Sequence, residues 1–436
     1  DQILYAGTVG KGDIQVKDRG RIDLSNELVI GGFGEQGQDA VGTVSVDNAN
    51  VQATNIRVGN IGKGTLDIKN GGGVSVNDLL VVGDAATGAG TVNFDGGSNT
   101  EGNNIQTNRL IVGAKGQGNV NIKNTYDLAD TAWSIGLDVT QDIIIGDDTT
   151  GVGQLTVDSS LASARNIIVG NKGSGALSVV NNGFLGVDNI SRGIDSTKSD
   201  VYFDRADLTI AKDQPNLFAN FTDKQPIKIG SNGLILDVVE NNVTINPNAV
   251  LTGNVGSVDW EGVKGGFAKV GTGTLELSTN SKQWTGETLI TEGLLKINGN
   301  YTMAPNESLG IALDVEEEGN LDSYGKLLVT GTADIREGEL RVYASEAIQE
   351  MSGSNEWKDI VKAKVRTGEF KKVSDNSPLV DFYADYRDAN AVHLVMGKLP
   401  AEPETPVEPE TPVEPETPVE PETPVKPEPP VVVPPI

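Results

Sequence analysis

Residues 56–78 read IRVGNIGKGTLDIKNGGGVSVND. Three short segments alternate apolar and polar side chains: Ile56-Arg57-Val58, Thr65-Leu66-Asp67-Ile68 and Val74-Ser75-Val76. Glycine or asparagine bounds each one. A period of two with such punctuation predicts strand, turn, strand, turn, strand, turn. No ten-residue stretch has a 3.6-residue apolar period, and only 345–351 reads as a short helical turn.

The unit recurs. A short apolar run closed by glycine ends at Gly7, Gly31, Gly59, Gly83, Gly113, Gly146 and Gly170, with successive spacings of 24, 28, 24, 30, 33 and 24 residues. Self-similarity at such a period is the signature of a solenoid. Three strands per unit without a crossover helix predict an all-β fold, a parallel β-helix whose coils stack their inward Val, Ile and Leu in columns. About 15 coils spaced by about 4.8 Å make a body on the order of 70 Å long. The expected body is 1–399. Its repeat is least regular over 190–268, around Pro215, Pro226 and Pro247.

Residues 400–436 follow other rules. From Glu402 the hexamer EPETPV repeats four times, and 14 of the 19 prolines of the chain lie from Pro400 onward. Proline fixes φ and denies ladder hydrogen bonds, and regularly spaced glutamates repel one another. The expectation is a disordered, extended polyproline-II linker; a ligand for an SH3-like groove is the alternative.

Composition narrows the chemistry. The chain carries 34 basic and 61 acidic residues, a net charge of −27, which argues against nucleic acid as a partner. Cysteine is absent, so disulfides, thiolate metal sites and cysteine nucleophiles are excluded. His393 is the single imidazole, so a Ser-His-Asp triad would have to use it and a multi-histidine metal site is impossible. Asp1-Gln2-Ile3 has no basic n-region, and the chain reads as a processed, exported piece. No cofactor or metal is expected.

Residues 269–299 read KVGTGTLELSTNSKQWTGETLITEGLLKING. This resembles the passenger-associated repeat of bacterial autotransporters, roughly GxGTLxLxGxNTYTGGTTVxxGTLxV. Gly271, Gly273, Thr274, Leu275, Leu277, Thr285, Gly286, Thr288 and Gly293 fall in place; Trp284 stands where the family has tyrosine and Glu287 where it has glycine. SYGKLLVTGTADIREGELRVY (323–343) is similar to the end of pertactin-like and AIDA-type passengers. The match covers about 75 residues, and 269–399 would be the C-terminal passenger coils. The resemblance implies a right-handed β-helix, type V secretion, and display at the surface of a Gram-negative bacterium. It also implies a C-terminal translocator barrel in the outer membrane; that barrel is not in this sequence, and the proline tail sits where the linker toward it would begin. Such passengers are mostly adhesins for host glycans, glycosaminoglycan-like chains among them, or for matrix proteins such as fibronectin. Some self-associate between cells. The GDSGS-type motif of the protease passengers is missing and there is no GxSxG. A polysaccharide lyase or hydrolase is the remaining alternative on this fold.

Three sets of residues stand out as ligand-binding candidates. Asn60, Asp84, Asp147 and Asn171 follow the closing glycine of their runs and would line one column, with Lys11, Lys63, Lys115 and Lys172 a few residues on. A second amide and acid column precedes each run: Asn26, Asn55, Asn77-Asp78, Asn108, Asp142, Asn166 and Asp188-Asn189. Either column would equally serve as a structural ladder. Third, neighbouring units carry insertions at the same corner, 96–106 and 124–136. These would wall a groove with Asn103, Asn104, Tyr126, Asp127, Asp130 and Trp133, aided by Lys115 and Lys123. An aromatic platform flanked by amides and acids suits a sugar. The basic stretch 362–372 reads as a solvated strand face, and the acidic turns lack calcium-loop spacing.

Overall fold

A computed structural model describes residues 2–96, 104–124, 135–257, 266–315, 323–351 and 353–397. Apart from a 3-10 turn at Gly37–Asp39 and one helical turn at Glu346–Gln349, the regular structure of these residues is strand. The alternation read from 56–78 is realised directly: its three segments lie in the strands Asn50–Val58, Lys63–Lys69 and Gly73–Val82. Residues 2–397 belong to one compact unit.

The unit is a parallel β-helix. Lys11–Lys17, Val41–Asp47, Lys63–Lys69, Ala89–Asp95, Gln117–Lys123, Val152–Asp158, Ser174–Arg192 and Lys198–Ile210 pair in that order, each parallel to the last. A second ladder runs from Glu27–Ile30 through Asn50–Val58, Gly73–Val82, Ile105–Val112 and Ile135–Ile145 to Leu161–Val169. Register shifts inside this ladder, as between Ala53 and Asn55, bend each strand into two short sides. In-register stacking puts like on like. Val44, Leu66, Val92, Val120, Leu155, Leu177 and Val201 form one interior column, and none is more than 1% exposed. Aliphatic columns of this kind suit a core one side chain deep on each face.

The corners explain the glycines. Gly59 has φ +70°, and a Cβ there would lie 2.3 Å from the carbonyl carbon of Ala89 in the next coil. A side chain is therefore excluded twice, by backbone conformation and by the coil above. The other six glycines that close the apolar runs share this conformation, with φ between 66° and 84°. Asn48, Asn70, Asn124, Ser159 and Asn181 form another left-handed corner, with φ between 47° and 57°. The column from Asn26 to Asn189, by contrast, has ordinary φ, because it sits at the bend inside a strand rather than at a turn.

Among the described residues of 190–268 parallel pairing continues, from Lys198–Ile210 to Ile227–Ile229 and Leu234–Asp237, and on to Leu251–Asn254 and Phe267–Val270. A third face forms here, from Gln214–Leu217 to Asn355–Thr367. Two features depart from uniform coils ending near 398. The face that runs through Ile227–Ile229 and Leu251–Asn254 ends at Lys282–Thr285; the next coil passes from Tyr301–Thr302 to Ser308–Leu313 through a turn alone. The stack itself ends in an antiparallel hairpin, Asp381–Asp385 with Ala391–Gly397, laid against Asn355–Thr367. Trp357, Phe382 and Met396 close the core beneath it, with the Trp357 and Phe382 rings 5.9 Å apart. The hairpin occupies the edge that another parallel coil would otherwise use.

Substituting Gly59→Ala should destabilise the fold by about 1–3 kcal/mol for the left-handed backbone alone, with the contact to Ala89 adding to it. A urea midpoint unchanged from wild type would refute this account of the corner.

Candidate functional site

The post-glycine column is occupied by internal bonds. Asn60 Nδ2 donates to the Gly32 carbonyl at 2.9 Å, and Asn171 Nδ2 donates to Asp147 Oδ1 at 2.8 Å. Asp84 accepts from Arg57 at 2.5 Å, and the same guanidinium reaches Glu27 at 2.7 Å, tying three coils together. Several other N-terminal amides behave alike: Asn93 bonds Asp67, Asn121 bonds Asn93, Asn124 bonds Asp95 and Asn166 bonds Asp142, each at 2.8–2.9 Å. These ladders satisfy the side chains with their own neighbours.

The lysines do not share one row. Lys11 and Lys63 open strands in the same register column, whereas Lys115 and Lys172 stand two residues before their strands. Lys115 and Lys172 face Asp148, whose carboxyl is held below its usual range mainly by the Thr149 hydroxyl and then by these cations. Lys123 is exposed, in register with Asp95 and Asp158. Both insertions leave the same corner, since Asp95 pairs with Lys123 and Ile105 with Leu137. Asn104 is half-buried and its carbonyl accepts the Val74 amide at 2.9 Å. Asn103, Tyr126, Asp127, Asp130 and Trp133 lie outside the described residues.

A trough that the sequence reading did not single out lies over the C-terminal coils. One hydrogen-bonded turn recurs at five coils: the amides of Gln225, Ala249, Ser281, Glu307 and Gly338 donate to the carbonyls of Thr222, Asn246, Ser278, Ala304 and Ile335, at 2.9–3.2 Å. Beside these turns lie three cavities of about 530, 310 and 450 Å³. The first two share Gln283 and the last two share Glu307, so they lie in succession along the coils. The middle cavity sits on the step where the Lys282–Thr285 face stops. There Lys282 pairs with Glu307 at 2.8 Å, both side chains under 10% exposed, and caps the Trp284 carbonyl at 3.0 Å. Trp284 itself turns inward and stacks on Phe267 at 4.3 Å.

Three consecutive turns place asparagine at their third position: Asn248, Asn280 and Asn306. All three are exposed, and none has left-handed φ. Among the described residues their side-chain amides have no hydrogen-bond partner, and Gln283 beside them has none either. The contrast with the N-terminal ladders separates amides that hold the fold from amides that face solvent. The sequence signal was an asparagine two or three residues ahead of a strand, in NPNAV, STNSK and APNES.

His393 Nδ1 accepts the Asp359 amide at 2.9 Å, which occupies the atom that a triad histidine would turn toward its carboxylate. Among the described residues no three His, Asp or Glu side chains are grouped so as to hold a metal ion. In the trough, Glu339 is held below its usual range by Ser374 and Lys372 despite partial burial, the wrong direction for a general acid. Asp207 is pushed up to about 6, by burial and then by Asp237. The cavity beside it is only about 70 Å³, too small for a sugar ring. The basic stretch 362–372 is largely paired: Lys362 with Asp359, Lys371 with Glu337, Lys372 with Glu339. Lys269 is fully buried and donates to the carbonyls of Gly271, Gly273 and Glu292, fixing the turns of the passenger-like motif; burial draws its pKa down to about 8.

A scan against protein-family models gives no match to this chain, and a search of the curated proteins gives none either. No helix among the described residues is long and apolar enough to cross a membrane.

Because the folded-state pKa of Asp207 lies above the usual carboxylate value of about 3.9, the folded protein binds more protons than the unfolded chain between about pH 4 and pH 6. Stability from this group is therefore full below pH 4 and is lost as pH rises through 6. Asp207→Asn should raise stability at pH 7 by on the order of 1 kcal/mol and leave it nearly unchanged at pH 4. Urea midpoints at the two pH values check this, and equal shifts at both would contradict it.

Proposed function

We propose that this chain is the surface-displayed binding portion of a bacterial adhesin of the autotransporter passenger type, and that it holds an extended extracellular polysaccharide rather than turning one over. The observation that carries the reading is the trough over the C-terminal coils, with unpartnered amides at matching turn positions of successive coils. A coil rise of about 4.8 Å gives a linear polymer a repeating set of contacts. Each amide offers two donors and an acceptor, which suits hydroxyls that both donate and accept. The passenger-like motif at 269–299 lends support through its glycines. Gly271, Gly286 and Gly293 all adopt φ between 65° and 105°, so the motif marks backbone positions that other residues would strain. On this reading the ligand belongs to a host surface or matrix, and the protein works outside a Gram-negative cell as a tether with no cofactor.

The test is a glycan array with wild type and the triple variant Asn248→Ala, Asn280→Ala, Asn306→Ala. Loss of three hydrogen bonds at about 0.5–1.5 kcal/mol each should weaken binding at least tenfold, with the far-UV CD spectrum unchanged. Undiminished affinity in the triple variant would move the site away from the trough.

A further inference from the structure

We infer that the trough selects an uncharged polysaccharide and discriminates against sulfated or carboxylated ones. The inference rests on the polysaccharide-binding reading above and goes on to name the ligand class. It is carried by the pairing of every cation that lines the three cavities. Lys282 is bound to Glu307 at 2.8 Å in a nearly solvent-free setting. Arg341 is bound to the fully buried Glu287 at 3.1 Å and to Glu339 at 3.3 Å. Lys372 is bound to Glu339 at 2.9 Å, and Lys371 stands 3.9 Å from Glu337. Asp223, at the opposite end of the trough, adds a negative charge with no paired cation among the described residues.

A sulfate or carboxylate offers acceptors only. The amides of the trough can donate to it, but a charge partner on the cavity walls would have to be drawn away from its carboxylate. For Lys282 and Arg341 that would take the cation from a buried glutamate, Glu307 or Glu287, the costly way to break an ion pair. Lys371 and Lys372 are exposed and easier to redirect, but the field of a chain with net charge −27 opposes the approach of a polyanion to them. A neutral sugar meets none of these obstacles. It needs only hydroxyl partners, and Asn248, Asn280, Gln283 and Asn306, unbonded in the trough, are uncharged amides that both donate and accept. The charges of the trough then act as structure and as a filter, while the amides do the binding.

The experiment measures binding of the full chain to soluble mixed-linkage β-glucan, hydroxyethylcellulose and dextran as neutral probes, and to heparin and polygalacturonate as anionic ones, each at low and high salt. At least one neutral probe should bind about tenfold or more tightly than either anionic probe, with little salt dependence. The double variant Glu337→Gln, Glu339→Gln releases Lys371 and Lys372 and should raise heparin binding severalfold, with the fold checked by far-UV CD. Heparin or polygalacturonate binding as tightly as the best neutral probe, with affinity collapsing in salt, would overturn the inference while leaving a polysaccharide ligand in place. A folded double variant with no gain toward heparin would overturn the role given to the ion pairs. No binding to any probe of either class would count against the polysaccharide reading itself, and this inference would fall with it.

Discussion

Close approach between the corners of successive coils governs this protein. Parallel strands in register are spaced by about 4.8 Å, so where one coil turns, its backbone must pass directly against the turn of the next. At Gly59 the space left beside Cα is already filled by the Ala89 carbonyl and the Gly90 amide. That single restriction fixes glycine at the ends of the apolar runs, left-handed asparagine at the opposite corner, and one inward aliphatic per position per coil. Glycine and asparagine hold the turns, and dispersion between stacked Val, Leu and Ile fills the interior.

The same stacking decides which polar side chains are available. Over the first coils, like residues sit above one another and spend their hydrogen bonds along the stack, as Asn121 does on Asn93 and Asn93 on Asp67. Over the later coils the Lys282–Thr285 face stops, the next coil crosses by a turn alone, and a ledge opens. Lys282 and Glu307 plug the strand edge at that ledge, which blunts it against pairing with another chain. At the adjoining turns Asn248, Asn280 and Asn306 are exposed and make no side-chain hydrogen bond among the described residues.

Much of this architecture is legible in the sequence. The spacing of Gly7, Gly31 and Gly59 gives the coil, and the alternation in 65–68 gives the strand and its buried face, because both follow from local geometry. The location of the trough is not legible in the same way. Its turns read NPNA, STNS and APNE, and nothing local tells that their asparagines are unbonded while Asn60 and Asn171 are bonded. That difference depends on what the neighbouring coil places alongside, some 22–35 residues away in sequence. The hairpin that ends the stack escaped for a similar reason, since Ala391–Gly397 alternates like any coil strand and only its antiparallel pairing with Asn355–Thr367 sets it apart.

Hydrogen exchange of the backbone amides, followed by mass spectrometry with and without saturating mixed-linkage β-glucan, tests the central claim most directly. The account predicts slowed exchange confined to the turns and strand starts at 222–225, 246–250, 278–283 and 304–308, with the ladder corners at 59–60, 84 and 171 unchanged. Protection at those N-terminal corners, or at 104–106 and 135–137 beside the two insertions, with none at the C-terminal turns, would contradict it.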